Sequence, residues 1–179
     1  MSERLATEIW IGGKVRRRTA RRLCQVIGRQ NVSLEWGDAW FRPSEPEELL
    51  AALEAVDGTQ LLRLCDEQAP WGQLEALEAF LVRNRIPFRR HSEGKYEYDP
   101  QIVEYRPGRK LVCLNTNHSG ESLVPLAVIR QAQVELHHTV ASLRRGELSQ
   151  AKTALRRVLK QLQDQLPPRL PRLPTFDVI

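Results

Sequence analysis

The chain has 179 residues, of which 41 % are hydrophobic, and its 27 Lys and Arg against 22 Asp and Glu give a net charge of +5. That length and hydrophobic content support one well-buried domain with a small appendage and argue against global disorder. No apolar run approaches the roughly 20 residues of a membrane helix, and no secretion signal opens the chain. We therefore expect a soluble, cytoplasmic protein with reduced cysteines.

The charge is laid out in blocks along the chain. Residues 1–30 carry a net charge of +6, residues 31–80 carry −9, and residues 81–120 and 121–179 carry +4 each. A basic patch is a candidate contact surface for a polyanion, whereas an acidic block restricts where a polyanion can dock. The basic regions are therefore the first places to search for a binding surface.

The first hundred residues alternate between strand-like and helix-like patterns. In chain order the pattern predicts a strand at 8–15, a helix at 17–29, a strand at 32–41 with a bulge at Gly37, a helix opened by a Ser44/Glu47 capping box and stopped at Asp57-Gly58, a strand at 60–65, and a helix from Trp71 or Gly72 to Asn84. This rhythm favours an α/β layer structure with at least some parallel strand pairing.

The pattern changes at Pro87. From there to Leu114 no helical periodicity is present, and short segments of period two are separated by turns at Glu93-Gly94, Asp99-Pro100 and Pro107-Gly108. These segments predict an antiparallel meander that extends the sheet. The predicted fold class is therefore α/β with a mixed sheet, and α+β is the open alternative.

From residue 121 the sequence is helical. Apolar residues with one polar interruption follow the heptad spacing of a packed seam: Leu126, Ile129, Gln133, Leu136, Val140 and Leu143. A second helix is predicted from about 147 to 166. Around Gly146 and Ala151 this segment resembles a single tetratricopeptide-type hairpin, although Glu135 stands where that family has a tryptophan. Such repeats normally stack in threes, so the resemblance implies local hairpin geometry and no function.

Three parts follow from these patterns. We expect an α/β domain at 1–118, a helical hairpin at 121–166 that packs on that domain or on a second subunit, and a Pro-rich extended tail at 167–179.

The first candidate site is a basic stretch at the predicted first helix. It contains six cations, Arg16 and the five proposed contact residues Lys14, Arg17, Arg18, Arg21 and Arg22. Cations beside a glycine-containing turn and a helix start could hold phosphate groups. The alternative is a solvated helix face that balances the acidic helix at 45–54.

The second candidate site is the basic, aromatic meander. Its proposed contact residues are Arg89, Arg90, Lys95, Tyr96 and Tyr98. Aromatic rings on an exposed sheet, flanked by cations, are what stacking of single-stranded nucleic acid requires. Core packing is the alternative role of these rings.

A third set of cations follows one face of the last helix. Lys152, Arg156 and Lys160 are spaced four residues apart and form a stripe that could contact phosphates. Whether this stripe shares a surface with the other two basic elements decides how strong a polyanion hypothesis is.

A catalytic reading has less support. Cys65 ends a predicted strand, and His91 and His118 end others, so a Cys–His pair could supply nucleophile and base. Nothing in the spacing brings them together, and no metal-ligand spacing occurs. We therefore assign no catalytic residue, metal or cofactor.

Three functional hypotheses remain open. The leading one is a non-catalytic, nucleic-acid-associated binding protein that uses basic patches for phosphate contacts. The second is a protein–protein adaptor that acts through segregated charge and the C-terminal hairpin, with a partner protein or a homodimer through 121–166. The third is a Cys-dependent enzyme.

Overall fold

The structure, a computed structural model, describes residues 3–95, 98–121, 123–165 and 168–179. It divides into two compact units. The α/β unit comprises Met1–Glu121 together with Leu170–Ile179, and the hairpin unit comprises Ser122–Arg169. No helix in the described ranges is both long enough and apolar enough to cross a membrane.

Helices and strands alternate in the α/β unit, and the hairpin unit is helical. The strands are β1 (Arg4–Ile11), β2 (Lys14–Val15), β3 (Leu53–Val56), β4 (Thr59–Pro70), β5 (Phe88–Ser92), β6 (Gln101–Tyr105), β7 (Val112–Asn115) and β8 (Asp177–Val178). The helices are α1 (Arg17–Ile27), α2 (Pro46–Ala51), α3 (Glu75–Arg83), α4 (Leu126–Arg144) and α5 (Leu148–Gln165). The predicted class, α/β with a C-terminal helical hairpin, is confirmed.

The main sheet has six strands in the order β3-β4-β1-β5-β6-β7, and every neighbouring pair is antiparallel. The expected parallel pairing inside this sheet is therefore wrong. A β-α-β unit does occur, because β4 and β5 run in the same direction and α3 connects them. However, β1 lies between these two strands and pairs with both. Among the described strands, β2 and β8 form a parallel pair.

The two faces of the sheet differ in composition. One face is apolar and packs under α1, α2 and α3, with Ile9, Ile11, Leu62, Leu64 and Phe88 in its core. Side chains alternate along a strand, so the opposite face carries the intervening residues. We call this second surface the open face; it carries Glu8, Trp10, Arg63, Arg89 and His91 in the central strands.

Helix α1 follows the sequence prediction closely. Its buried residues are Ala20, Leu23, Cys24 and Ile27, at the helical spacing that the sequence shows. The arginines that precede and interrupt this apolar stripe are exposed: Arg17, Arg18, Arg21 and Arg22. The apolar spacing alone therefore predicts which face of the helix is buried.

The second predicted helix is too long. α2 ends at Ala51, and the following Leu53–Val56 pairs with β4 as a strand. Asp57 and Gly58 both have positive φ, 49° and 77°, which is the geometry of a two-residue hairpin turn. The helix start also differs, since the Glu48 carboxylate accepts hydrogen bonds from the backbone N–H groups of Ser44 and Glu45, both at 3.1 Å.

The predicted strand at 32–41 is wrong. In this segment only Ser33 pairs with the sheet, through two backbone hydrogen bonds with Cys65 of 2.8 and 2.9 Å. Gly37 then turns the chain with φ 82°, and Trp36 and Trp40 are exposed. The segment is therefore a loop whose Val32 is buried in the core and whose two tryptophans lie on the surface.

The C-terminal segment returns to the α/β unit. Phe176 is 1 % exposed inside the core of that unit, and β8 pairs with β2. The backbone N–H of Gly13 donates to the carbonyl oxygens of Pro174 and Thr175 at 3.0 and 3.1 Å. Residues 170–179 are therefore an integral part of this unit, and a Cβ at Gly12 would lie 2.2 Å from the Pro174 carbonyl oxygen.

Helices α4 and α5 pack against each other through small side chains. Ala132 and Thr139 on α4 and Ala151 and Val158 on α5 are buried, each pair being one heptad apart. Gly146, at φ 82°, makes the turn between the helices. The larger aliphatic residues of the predicted heptad seam are not the ones that hold this hairpin together.

We predict that Phe176→Ala lowers the free energy of unfolding by about 3–5 kcal/mol, because it empties a fully buried aromatic site. Ile179→Ala is the matched control on the same segment, since Ile179 is 63 % exposed. Urea unfolding followed by circular dichroism measures both variants. Equal stability of the two variants would show that the segment does not close the core.

Candidate polyanion-binding site

The basic stretch on α1 is partly neutralised by α2. Arg17 forms an ion pair with Glu47, and Arg21 lies 3.5 Å from a carboxylate oxygen of Glu45. Arg22 packs its guanidinium over the Phe80 ring at 5.9 Å. Arg18 is exposed on the same helix. Two of the arginines are therefore ion-paired with α2, which agrees with the alternative interpretation of a solvated helix face that balances an acidic helix.

Arg90 of the meander is structural. It is 1 % exposed, and its Nε lies 2.9 Å from Oε1 of Glu78 on α3. Its terminal nitrogens donate to the Gly72 carbonyl and, at 2.7 Å, to the Gln101 side chain. Burial lowers the pKa of this guanidinium, and the Glu78 charge opposes that shift. A side chain enclosed in this way has no surface with which to contact a polyanion.

The remaining meander residues do not form one platform. Arg89 projects from the open face and lies 3.5 Å from Glu104. Lys95 and Tyr98 face each other through two backbone hydrogen bonds of 3.0 Å, and the Tyr98 ring meets Trp71 edge-on at 5.4 Å. Tyr96 lies outside the described residues.

The three predicted basic elements occupy different parts of the structure. The α1 stripe belongs to the helical layer, whereas Arg89 lies on the open face, on the other side of the sheet. Lys152, Arg156 and Lys160 are exposed along α5 in the hairpin unit. Convergence within the α/β unit must therefore be sought among other cations.

Such a convergence occurs at one end of the sheet, in a pocket of about 500 Å³. We call it the basic pocket. Five cations line it together with Gly13 and four prolines: Lys14, Arg85, Arg106, Arg109 and Arg172. No carboxylate is among the described residues that line it. The cations come from four separate chain segments, so the pocket is a product of the tertiary fold.

Local backbone geometry places two of these segments. Arg85 has φ 57°, a left-handed conformation, in the turn that closes α3. The next residue, Ile86, donates its backbone N–H to Leu81 at 2.9 Å, and Pro87 then leads into β5. After β6 a turn brings the Arg109 N–H to the Arg106 carbonyl at 3.0 Å, with Gly108 at φ 79°.

Arg106 holds the third segment, 171–174, in position. Its Nε donates to the Pro171 carbonyl at 2.8 Å, and its Nη1 donates to the Phe88 and Tyr105 carbonyls, both at 2.9 Å. The side chain is buried, which lowers its pKa, and Glu104 at 3.9 Å opposes that shift. Arg106 is therefore a positioning residue that also contributes its charge to the wall of the pocket.

The other four cations are available to a ligand. Lys14, Arg85, Arg109 and Arg172 are exposed. Within the described ranges, no carboxylate oxygen lies within 4.0 Å of their charged nitrogens. Like charges gathered in a concave site raise the local positive potential, which attracts phosphate groups and other anions.

Two of the four exposed cations belong to basic segments that the sequence analysis identifies. Lys14 was among the predicted contact residues, and Arg109 lies in the basic meander. Arg85 sits singly after a helix, and Arg172 lies in a Pro-rich segment, so neither belongs to a local basic pattern. Only the return of the C-terminal segment to the sheet reveals that the two are neighbours.

The candidate Cys–His pair is not assembled. Cys65 and His91 both lie opposite Glu8, on the two strands that flank β1, so they are separated by two strand spacings, about 10 Å. Cys65 is fully buried, and burial raises the pKa of its thiol to about 11. That is the opposite of the shift that an activated thiol needs. No group of three or more His, Cys, Asp or Glu in the described ranges could hold a metal ion.

No protein-family model matches this sequence, and no curated protein or solved structure is significantly similar to it. The function is therefore inferred from the arrangement of side chains.

We predict that one thiol reacts in the native protein with iodoacetamide at pH 8. Cys113 is exposed, whereas Cys24 and Cys65 are buried and the pKa of each is raised to about 11, mainly by burial. Mass spectrometry should therefore find rapid modification of Cys113 alone, and of all three thiols after unfolding. Rapid native modification of Cys65 would revive the enzyme hypothesis.

Proposed function

We propose that this protein is a non-catalytic, nucleic-acid-associated binding protein that contacts the phosphate backbone at the basic pocket. The observation that carries the proposal is the gathering of five cations from four chain segments into one pocket, with no carboxylate among its described lining residues. Neighbouring acidic groups compensate surface charges elsewhere on the unit, as at Arg17 and Arg21 on α1.

The side-chain chemistry suits phosphate. Arginine presents a planar fork of donors that can bind two phosphate oxygens at once, and lysine adds a compact point charge. Three exposed arginines and one exposed lysine around a single pocket supply both kinds of contact. Arg106 keeps its donors for backbone carbonyls, so its part is to shape the pocket.

This contact set favours binding that tolerates many sequences. Contacts to phosphate fix the position of a nucleic acid but do not read its bases. The lining beyond the cations consists of glycine and proline, which offer no side-chain donors or acceptors to a base edge. Arg18 on α1 and the Lys152, Arg156 and Lys160 stripe lie outside the pocket and are the alternative contact surfaces if the pocket does not bind. The cytoplasmic location stays a prediction.

We predict that affinity for a labelled oligonucleotide falls steeply as salt rises, because bound phosphates release counterions. Arg85→Ala combined with Arg109→Ala should make the slope of log K against log salt shallower by about 1.5. Fluorescence anisotropy measures both quantities. The matched control is Arg18→Ala with Arg29→Ala. It removes two exposed arginines, one on α1 and one just beyond its end, for which the described structure shows no ion pair.

Two results would contradict the proposal. Absence of binding at about 50 mM salt would remove nucleic acid as a ligand, since the electrostatic contribution is strong there. A control variant that weakens binding as much as the pocket variant would move the contact surface to α1.

A second candidate function, self-association through the hairpin, rests on a different observation. Among the described residues of α4 and α5, nine large aliphatic side chains are exposed at 40 % or more. Eight of them, all but Val134, lie on one side of the hairpin: Leu126, Ile129, Leu136, Val140, Leu143, Leu148, Leu155 and Leu159. At about 100° per residue, those on α4 fall within roughly 100° of arc, beside the buried Ala132 and Thr139. Those on α5 occupy the corresponding arc beside Ala151 and Val158, so both helices contribute to one face.

A second copy of this chain suits that face. The eight side chains expose on the order of 700 Å² of surface, close to the roughly 800 Å² that each partner buries in a stable complex. None of them is charged, and the heptad spacing on α4 is the spacing at which helices pack in bundles. Two hairpins placed face to face would form a four-helix bundle.

We predict a dimer in sedimentation velocity and its conversion to a monomer by Leu136→Glu with Leu155→Glu, since charge cannot be buried in such an interface. Val134→Glu is the control, because Val134 is 54 % exposed but lies on another side of α4. A moderately stable dimer should form at tens of micromolar concentration. If the wild-type chain is monomeric there, self-association is refuted. The exposed face of the hairpin would then be expected to dock on the α/β unit or on a partner protein.

A further inference from the structure

A second concavity of about 360 Å³ adjoins the basic pocket on the open face of the sheet. We call it the Trp10 groove. Arg106, Pro171 and Arg172 line both cavities, so the wall between them is the C-terminal segment itself. The two cavities are therefore neighbours that share this wall.

The groove has an aromatic side chain that the fold of the α/β unit leaves accessible. Trp10 lies on β1, in the centre of the sheet, and is half-buried. The Arg63 guanidinium packs against its ring at 5.2 Å from the neighbouring strand β4. The ring also borders a third cavity, separate from the Trp10 groove and the basic pocket, whose lining includes Arg89, His91 and His118. Trp10 is thus a ring held by Arg63 that lines two depressions, which also share Arg89.

The groove is mixed in character, as a base-binding site is. Leu61, Leu170 and Leu173 supply apolar walls, and Arg89 and Arg172 supply cations. Two carboxylates also line the groove, those of Asp57, which is exposed in the β3–β4 turn, and of Glu104 on β6. Arg89 lies 3.5 Å and Arg106 3.9 Å from the Glu104 carboxylate. The charge of Glu104 is therefore compensated within the groove, and its oxygens remain acceptors for the N–H groups of a base.

We infer that the nucleic acid bound here is single-stranded, with a phosphate in the basic pocket and the adjacent unpaired base against Trp10 in the groove. This inference rests on the proposed function. A duplex offers its phosphates to the basic pocket equally well, but its bases are stacked inside and cannot reach a ring in a neighbouring cavity. Stacking on an aromatic side chain is available to every unpaired base and so needs no particular sequence.

The test compares a random-sequence single strand with the same sequence in a duplex, both labelled, by fluorescence anisotropy. The wild type should bind the single strand more tightly. Trp10→Ala should weaken single-strand binding about 5- to 150-fold and leave duplex binding unchanged. The salt slope should stay the same, because tryptophan carries no charge. Trp10→Phe should retain most of the affinity, and Trp40→Ala removes an exposed tryptophan outside the groove as the control.

A measurement on the unaltered chain guards against loss of folding in Trp10→Ala. A single strand that carries 5-bromouracil, irradiated in complex with wild-type protein, should attach to the tryptic peptide 5–14, which contains Trp10. Attachment to 30–63, which contains Trp36 and Trp40 because trypsin does not cleave between Arg42 and Pro43, or to 64–83, which contains Trp71, would overturn the inference.

The outcomes separate this inference from the proposed function. If Trp10→Ala and wild type bind the single strand equally, or if strand and duplex bind equally, the inference fails. The proposed function then still stands, provided that Arg85→Ala with Arg109→Ala flattens the salt slope. If neither form of nucleic acid binds, both fail together.

Discussion

The structure of the α/β unit depends on the return of residues 170–179 to the sheet. Phe176 enters the core, β8 pairs with β2, and Arg106 holds Pro171 through its carbonyl oxygen. This closure carries Arg172 to the same pocket as Lys14, although the two are far apart in sequence. The candidate site is therefore a consequence of chain closure, and it would lose one wall if the segment were displaced.

Three kinds of arginine can be distinguished in the α/β unit, although all of them count equally in the net charge of +5. Arg90 and Arg106 are buried, and their side chains donate hydrogen bonds to other groups of the protein. Arg17, Arg21 and Arg63 are ion-paired, and such pairs leave little net field. Arg85, Arg109 and Arg172 border the pocket without a described carboxylate partner. The third kind combines charge and access in one concave site. Other exposed arginines without a described ion pair, such as Arg18 and Arg29, lie outside this pocket.

Sequence patterns predicted those features that depend on local order. The burial of Leu23 and Ile27 on α1 followed from helical spacing, and the meander followed from its period of two. The prediction of a long helix after Ser44 was wrong because the Asp57-Gly58 turn favours a β-hairpin over a continued helix. The basic pocket and the Trp10 groove lay beyond such reasoning, because their residues meet only through tertiary contacts between strand ends and the C-terminal segment.

The central claim is that polyanions bind at the pocket that this closure creates. Backbone amide chemical shifts of the labelled protein, followed by NMR as a single-stranded oligonucleotide is added, test it most directly. The account predicts that Lys14, Arg85, Arg109 and Arg172 shift together, with one saturation curve, while α1 and α5 change little. Shifts confined to α1, to α5 or to the loop that carries Trp36 and Trp40 would contradict it.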